Sequence, residues 1–378
     1  MRRKVLFVIN SMAGGGAERV FSTLLHGSAA PGCDHEVTAV LLDREPEAYD
    51  LPSWLPVHRL DCRGSLVRSL AGVASVVRRE RPDVALSFLT RANVATAAAM
   101  SAARRPFIVS ERVNTTAHLG SGLRGLASRI PVRLAYPRAS AVIAVSQGVA
   151  DTLIADFAVG ADRLAVIANP VELDRIGKAA RVEPEFPVAG PYVAAMGRLA
   201  PNKNFALAIR AFAASGLDGR LVVMGQGPEE GTLRRLGDEL GLGDRLLLPG
   251  FVANPYAILS RARFFALPSN AEGFPNALVE AMACGVPVVA TDCRSGPAEV
   301  LDVGPRTSGT WPIEGAGGLL VPVDDAPAMA EAFRRMTDPA LVARLAAAGL
   351  RRVASFGVQR AVSRYWSVID NVLEARRR

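Results

Sequence analysis

Arg198 and Lys203 stand five residues apart in Gly197-Arg198-Leu199-Ala200-Pro201-Asn202-Lys203-Asn204, between an apolar run and a helical pattern. Two fixed cations across such a turn, with helix-terminal amides beside them, can converge on one diphosphate and stabilise it as a leaving group. Glu272 and Glu280 lie eight residues apart further on. An apolar run ends at Leu267, the loop carries Glu272, and a helix opening near Pro275 carries Glu280, with Gly285 as its stop. Cα–Cβ bonds tilt toward a helix N-terminus, so a carboxylate a turn and a half in can reach back to a ribose diol near the loop. Glu272, with the loop through Gly273, Phe274, Pro275, Asn276 and Ala277, is placed to hold sugar hydroxyls. A carboxylate opening a helix is often only a dipole partner. The Arg198/Lys203 turn upstream is what points to a shared ligand.

No Asp-x-Asp pair is present to hold a divalent metal against a nucleotide, and the two cations can take that part, so neither a metal nor a cofactor is expected. Near the N-terminus, Gly14-Gly15-Gly16 follows the first apolar run and leads into a helix, an arrangement suited to an anionic or hydroxyl-rich ligand at Gly15 and Gly16. The GxGxxG order is missing, and the second run ends in Leu42-Asp43-Arg44 without a clear ribose-binding acid, which argues against a dinucleotide site.

These residues need a scaffold that gathers loops. Short apolar runs at 5–9, 37–42, 84–88, 107–110, 141–145 and 164–167 alternate with helical patterns, and the alternation resumes at 192–196, 221–224, 245–248, 264–267 and 286–290. Helical stretches are expected at 204–214, 229–241, 254–260 and 276–284. Such alternation implies α/β architecture with parallel strands, in two doubly wound, Rossmann-like domains. Open sheets of this kind bind ligands at the carboxyl ends of their strands, so two such domains facing each other make a cleft. Three prolines and a glycine between Lys178 and Pro191 read as a linker, giving domains 1–180 and 181–357. An amphipathic helix, 358–375, must then pack on something.

Composition agrees with a globular protein: 378 residues, 50% hydrophobic and 21% charged. No apolar run reaches the roughly 18 to 20 residues that cross a bilayer. Cys33, Cys62, Cys284 and Cys293 form no CxxC pair and lack histidines at ligand spacing, so they read as free thiols in a reducing cytoplasm. The net charge of +8 falls mainly on residues 1–180, with 22 Lys and Arg against 16 Asp and Glu. Within 101–140, seven arginines (104, 105, 112, 124, 129, 133 and 138) flank apolar side chains against Glu111 alone. That mixture suits an anionic membrane surface or a diphosphate-linked acceptor. A nucleic-acid partner is disfavoured, because five tyrosines and three tryptophans form no stacking platform.

From Gly197 to Glu299 the chain resembles glycosyltransferase family 4, retaining enzymes of the GT-B fold. The matching segments, in order, are Gly197-Arg198-Leu199 with Pro201, Lys203 and Asn204; Met224-Gly225-Gln226-Gly227-Pro228; Leu248-Pro249-Gly250-Phe251; and Glu272 with Glu280. Gly14 to Arg19, Val145-Ser146 and Ile167 to Val171 extend the resemblance over nearly the whole chain. It implies that Arg198 and Lys203 bind the donor diphosphate, Glu280 the ribose, and that Glu272 lies beside the donor sugar. Gly225, Gly227 and Phe251 would lie along phosphate and base, and the final helix would cross back to the first domain. Ser87 to Asn93, Phe251 to Pro255 and Asp292 to Pro297 resemble transferases of bacterial polysaccharide, lipopolysaccharide and lipid-linked oligosaccharide assembly. The implied reaction moves a hexose or N-acetylhexosamine from a UDP-linked donor to a glycan or polyprenyl-diphosphate-linked acceptor, at or near the cytoplasmic membrane face. Many members carry a histidine just after a strand of the first domain. Here that strand ends Ser110-Glu111-Arg112, leaving His118 as the candidate. A UDP-N-acetylhexosamine epimerase of the same architecture, or a catalytically silent nucleotide-sugar-binding partner, are the alternatives.

Overall fold

A computed structural model describes residues 2–28, 35–113, 115, 122–304 and 310–376. The chain divides into two compact units, one formed by Met1–Pro170 with Val358–Arg378 and the other by Val171–Gly357.

The first unit is built on seven strands: β1 (Arg3–Ile9), β2 (His35–Leu41), β3 (Val57–Arg59), β4 (Val84–Phe88), β5 (Phe107–Glu111), β6 (Ala141–Ala144) and β7 (Leu164–Val166). They pair in the order β3-β2-β1-β4-β5-β6-β7, every pair parallel. A parallel sheet with helices on both faces leaves no wet side, so its inner strands are buried and largely apolar. β4 and β5 are accordingly buried at every position. The helices start where a side chain satisfies a free amide: Ser65 accepts from the Arg68 amide (3.4 Å) and Ser146 from that of Val149 (3.3 Å).

The amphipathic face of the last helix, Val358–Ala375, belongs to this unit's core. Ala361, Val362, Tyr365, Ile369, Val372 and Leu373 are buried along it, and all but Ala361 join the cluster that holds Phe7, Phe21 and Phe88. Tyr365 stacks on Phe88 (6.0 Å), and Trp366 stacks on His35 (5.1 Å) while its indole N–H donates to Ser28 Oγ (3.0 Å).

The second unit repeats the design with β8 (Tyr192–Met196), β9 (Arg220–Met224), β10 (Leu246–Gly250), β11 (Phe264–Leu267), β12 (Val288–Thr291), β13 (Ile313–Gly315) and β14 (Gly318–Val321). Their order is β10-β9-β8-β11-β12-β14-β13, parallel except for the β13/β14 hairpin. The chain enters this unit at Val171 and leaves it at Gly357, and the Val171 amide donates to the Phe356 carbonyl (2.8 Å).

The break at Pro170 corrects the boundary expected near 180. The helix Leu173–Ala180 belongs to the second unit, because Asn254 Nδ2 donates to the Ala179 carbonyl (2.9 Å), Ser260 Oγ to that of Ala180 (3.0 Å), and Arg175 lies over the Tyr256 ring (5.9 Å). The Pro-rich stretch is therefore a loop within this unit. Strands β3 and β13 lie at sheet edges, are only partly buried and carry no apolar run, and with β14 they add to the strands expected from the sequence.

Candidate active site

In the second sheet the strand order reverses beside β8: the chain runs outward to β9 and β10, then returns to add β11 on the other side. At such a reversal the loops leaving two neighbouring strands part in opposite directions and open a crevice at their carboxyl ends. The loop after β8 carries Arg198 and Lys203, and the loop after β11 carries Glu272.

Lys203 Nζ donates to Glu272 Oε1 across that crevice at 2.5 Å. The same oxygen accepts from Ser269 Oγ at 2.7 Å, and the pair is well enclosed, with the Glu272 side chain 8% exposed and that of Lys203 25%. Glu272 Oε2 accepts from no described residue, so one carboxylate oxygen fixes the cation while the other is left unengaged. Arg198 behaves differently. Its side chain is exposed and makes no hydrogen bond or ion pair with any described residue, while its carbonyl accepts from the Ala200 amide (2.8 Å). One cation is locked in place and the other is free to close on a ligand.

The turn between them is held by its own contacts. Asn204 has φ +46°, and its side-chain amide donates to Asn270 Oδ1 (2.9 Å) and Asp324 Oδ1 (2.5 Å), while the Asn270 amide donates to the Asn202 carbonyl (2.9 Å). The Glu272 loop is braced from the next strand. Ser295 Oγ donates to the Glu272 carbonyl and Thr291 Oγ1 to that of Ser269, both at 2.5 Å. Gly296 at φ +99° lies so close that a Cβ there would meet Pro275 Cδ at 2.7 Å. No local pattern marks Ser269, Asp324, Thr291 or Ser295, and Asn204 stands out only as the last residue of the Gly197–Asn204 segment, because these contacts reach partners up to 120 residues away.

Glu280 falls in the second turn of the helix Asn276–Ala283 and is 5% exposed. Phe274, on the loop before it, is buried edge-on against Phe356 (5.5 Å). The field of the two acids is felt by nearby thiols. Burial first, then the Glu272 charge, pushes Cys293 up to about 12, and burial with the Glu280 charge does the same to Cys284. Cys62, Cys284 and Cys293 are free thiols, and Cys33 lies outside the described residues.

Gly225 and Gly227 have a role in the fold itself. At Gly225 (φ +141°) a Cβ would sit 1.9 Å from the Gly197 carbonyl oxygen, and at Gly227 it would sit 2.2 Å from that of Leu199. The loops after β8 and β9 thus run backbone against backbone, and only glycine permits the approach. The Gly225 amide donates to the Gly250 carbonyl (2.8 Å), which brings Phe251 alongside. Phe251 is 75% exposed, an aromatic ring left in solvent at the carboxyl edge of the sheet.

The first unit has a similar reversal between β1 and β4. Gly15 caps the helix Gly16–Gly27 there, and Glu18 folds back so that its carboxylate accepts from the Gly15 and Glu18 amides. This is the return half of a capping box. The amides read as open to a ligand are therefore partly satisfied from within the helix. Burial raises Glu18 above the usual carboxylate range, with Glu45 adding repulsion and the two amides opposing. Asp43 is likewise engaged, by the Arg91 guanidinium and the Gly64 amide (3.1 Å).

The seven arginines of 101–140 do not form one face. Arg112 is buried, donating to Tyr365 Oη (2.5 Å) and to Asn169 Oδ1, which ties the terminal helix to the carboxyl end of β5. Arg133 and Arg138 donate to the carbonyls of Asp156 and Leu134. The Arg124 side chain and His118 lie outside the described residues. Among the described residues no group of three or more His, Cys, Asp or Glu is placed to hold a metal ion, and no helix is long and apolar enough to cross a membrane.

Comparison with known proteins gives the family and the fold. The glycosyl transferase 4-like domain matches residues 15–170, and the glycosyl transferases group 1 domain matches 190–338. The chain is 29% identical over 348 residues, 89% of its length and 90% of the relative's, to the N-acetylgalactosamine-N,N'-diacetylbacillosaminyl-diphospho-undecaprenol 4-alpha-N-acetylgalactosaminyltransferase of Campylobacter jejuni. It is 28% identical over 342 residues, 89% of each chain, to the lipopolysaccharide core biosynthesis glycosyltransferase LpsE of Rhizobium meliloti. Among solved structures, Anabaena HepE in complex with UDP superposes with TM-score 0.76 at 23% identity, covering 97% of this chain and 100% of that one. The sucrose-phosphate synthase of Thermosynechococcus elongatus gives 0.80 at 20%, covering 99% and 100%. The two domain matches span most of the chain, and the protein belongs to the glycosyltransferases of GT-B fold that combine a glycosyltransferase 4-like domain with a group 1 domain, resembling those of bacterial polysaccharide and lipopolysaccharide assembly.

Proposed function

We propose that this enzyme transfers a hexose or N-acetylhexosamine, with retention and without a metal, from a UDP-linked donor to a glycan or polyprenyl-diphosphate-linked acceptor. The observation that carries the proposal is the Lys203–Glu272 pair spanning the β8/β11 crevice, with Arg198 free beside it. In this reading Lys203 and Arg198 hold the donor diphosphate. As the glycosidic bond breaks, negative charge grows on the β-phosphate oxygen, and two fixed cations stabilise it where a divalent ion would otherwise act. That oxygen then takes the proton from the acceptor hydroxyl attacking on the same face of the sugar, so no enzyme nucleophile is needed and configuration is kept.

Glu272 Oε2 faces the sugar hydroxyls, Glu280 holds the ribose, and the exposed Phe251 ring supplies an apolar surface for the base. Gly273 to Ala277, Gly225 and Gly227 line the donor. Gly15 and Gly16 of the first unit, and His118, belong to the acceptor side of the same proposal. The UDP complex of HepE supports the choice of base. The diphospho-undecaprenol acceptor in the name of the Campylobacter relative supports a lipid-linked acceptor. Ile130 and Leu134, each 56% exposed on the helix Gly122–Ala135 with Arg133 beside them, would rest against an anionic membrane surface on the cytoplasmic side.

A panel of UDP- and GDP-sugars, read by nucleotide release with and without EDTA, tests the proposal. Expected is UDP release insensitive to EDTA, with the product's anomeric configuration unchanged from the donor's by proton NMR. An epimer formed without UDP release, or inversion, refutes it.

A further inference from the structure

The amino ends of β5, β6 and β7 and the last turns of the terminal helix line an open cavity of about 630 Å³ within the first unit. It lies at the opposite strand ends from the loops carrying Gly15, Gly16 and Arg112, so the site described above makes no use of it. Four arginines line it, Arg104, Arg105, Arg163 and Arg376, against the one acid Asp162.

Arg105 is neutralised by Asp83 at 3.1 Å. Arg163 donates instead to the carbonyl oxygens of Pro137 (2.7 Å) and Ala139 (3.4 Å), which fix its guanidinium without cancelling its charge. Arg104 and Arg376 are exposed and pair with no described acid. Asp162 offsets one of these three charges, and the carboxyl end of the helix about half of another. The cavity stays cationic, and the sequence continues from Arg376 into Arg377 and Arg378. Val368 and Val372 of the helix form an apolar wall.

We propose that this cavity binds a phosphoryl group attached to an apolar or amphiphilic body. A planar guanidinium held by backbone carbonyls offers its remaining N–H groups in a fixed direction, which suits the oxygens of a phosphoryl group. Arg104 and Arg376 close on the same oxygens, and the valines receive the body of the ligand.

The test uses the full chain and the Arg104→Ala/Arg376→Ala variant, sparing Arg163 because its bonds hold the backbone. One arm measures inorganic diphosphate binding by calorimetry with UDP at saturation. The other measures sedimentation with phosphatidylcholine vesicles containing about 30% phosphatidylglycerol. The wild type should bind at least one probe in a salt-sensitive manner, and the variant should bind it about tenfold more weakly or worse. UDP release from the donor should be unchanged, which separates this site from the proposed reaction. Loss confined to vesicles assigns the phosphoryl group to a lipid head, and loss confined to diphosphate assigns it to a soluble ligand. Binding of neither probe by the wild type, or equal binding by the variant, overturns the proposal.

Discussion

Replacing Lys203 with alanine separates the chemical from the architectural contribution of the ion pair. The side chain leaves Glu272 Oε1 with Ser269 alone, on a carboxylate that is 8% exposed. Losing one partner of a buried hydrogen-bonded group costs about 1–3 kcal/mol of stability. The rate effect is larger if Lys203 stabilises the departing diphosphate: removing one preorganised donor from developing charge costs on the order of 10² to 10³ in kcat, about 2.7–4 kcal/mol. Arg198→Ala supplies the internal control, because that side chain is exposed and makes no hydrogen bond or ion pair with any described residue. Its truncation should move stability by less than about 0.5 kcal/mol while still lowering kcat, so its rate loss cannot come from misfolding. Steady-state UDP release at saturating donor, with urea unfolding of each variant, measures both quantities. The Lys203→Ala/Glu272→Gln double variant closes the cycle. If it recovers wild-type turnover, Lys203 acts only by neutralising Glu272, and its assignment to the diphosphate is refuted.

Phe251→Ala should raise the KM for the UDP-sugar about tenfold through lost base stacking, with unfolding unchanged because the ring is 75% exposed; an unaltered KM sinks the assignment. Gly225→Ala should destabilise the second unit by about 2–4 kcal/mol, because the new Cβ meets the Gly197 carbonyl at 1.9 Å on a backbone of φ +141°, and a urea midpoint equal to wild type contradicts the packing account. Glu18 binds a proton more readily folded than unfolded, so its contribution falls as pH rises from its ordinary 4.5 through its raised folded value. Glu18→Gln keeps the cap and removes that loss: its melting temperature should exceed wild type near neutral pH and converge with it in acid. A difference that instead grows toward acid rejects the sign.

Much of the scaffold was legible because parallel strands buried on both faces must be largely apolar. The runs 84–88, 192–196 and 264–267 coincide with β4, β8 and β11 for that reason. The stretch 276–284 likewise meets the helix Asn276–Ala283, where Pro275 and Gly285 punctuate the pattern. Local chemistry failed where the deciding partner was remote. The Pro-rich stretch before Pro191 has the composition of a linker, yet the second unit begins at Val171, since the carbonyls of Ala179 and Ala180 bond to Asn254 and Ser260. Seven arginines close in sequence looked like one basic face, but Arg112 points into the unit against Tyr365 while Arg104 and Arg105 reach a cavity at the opposite strand ends.

By itself the sequence determined the α/β class, the repeated doubly wound pattern and the positions of Arg198, Lys203, Glu272 and Glu280 on loop and helix starts. Those are consequences of local periodicity and of which residues end a strand or open a helix. Only the tertiary structure decided that β8 and β11 are neighbours, that Lys203 is bound by Glu272 while Arg198 is free, and that Gly225 is demanded by the Gly197 backbone. Strand order and side-chain pairing across 69 residues depend on how the sheet closes around its core, which no spacing along the chain encodes.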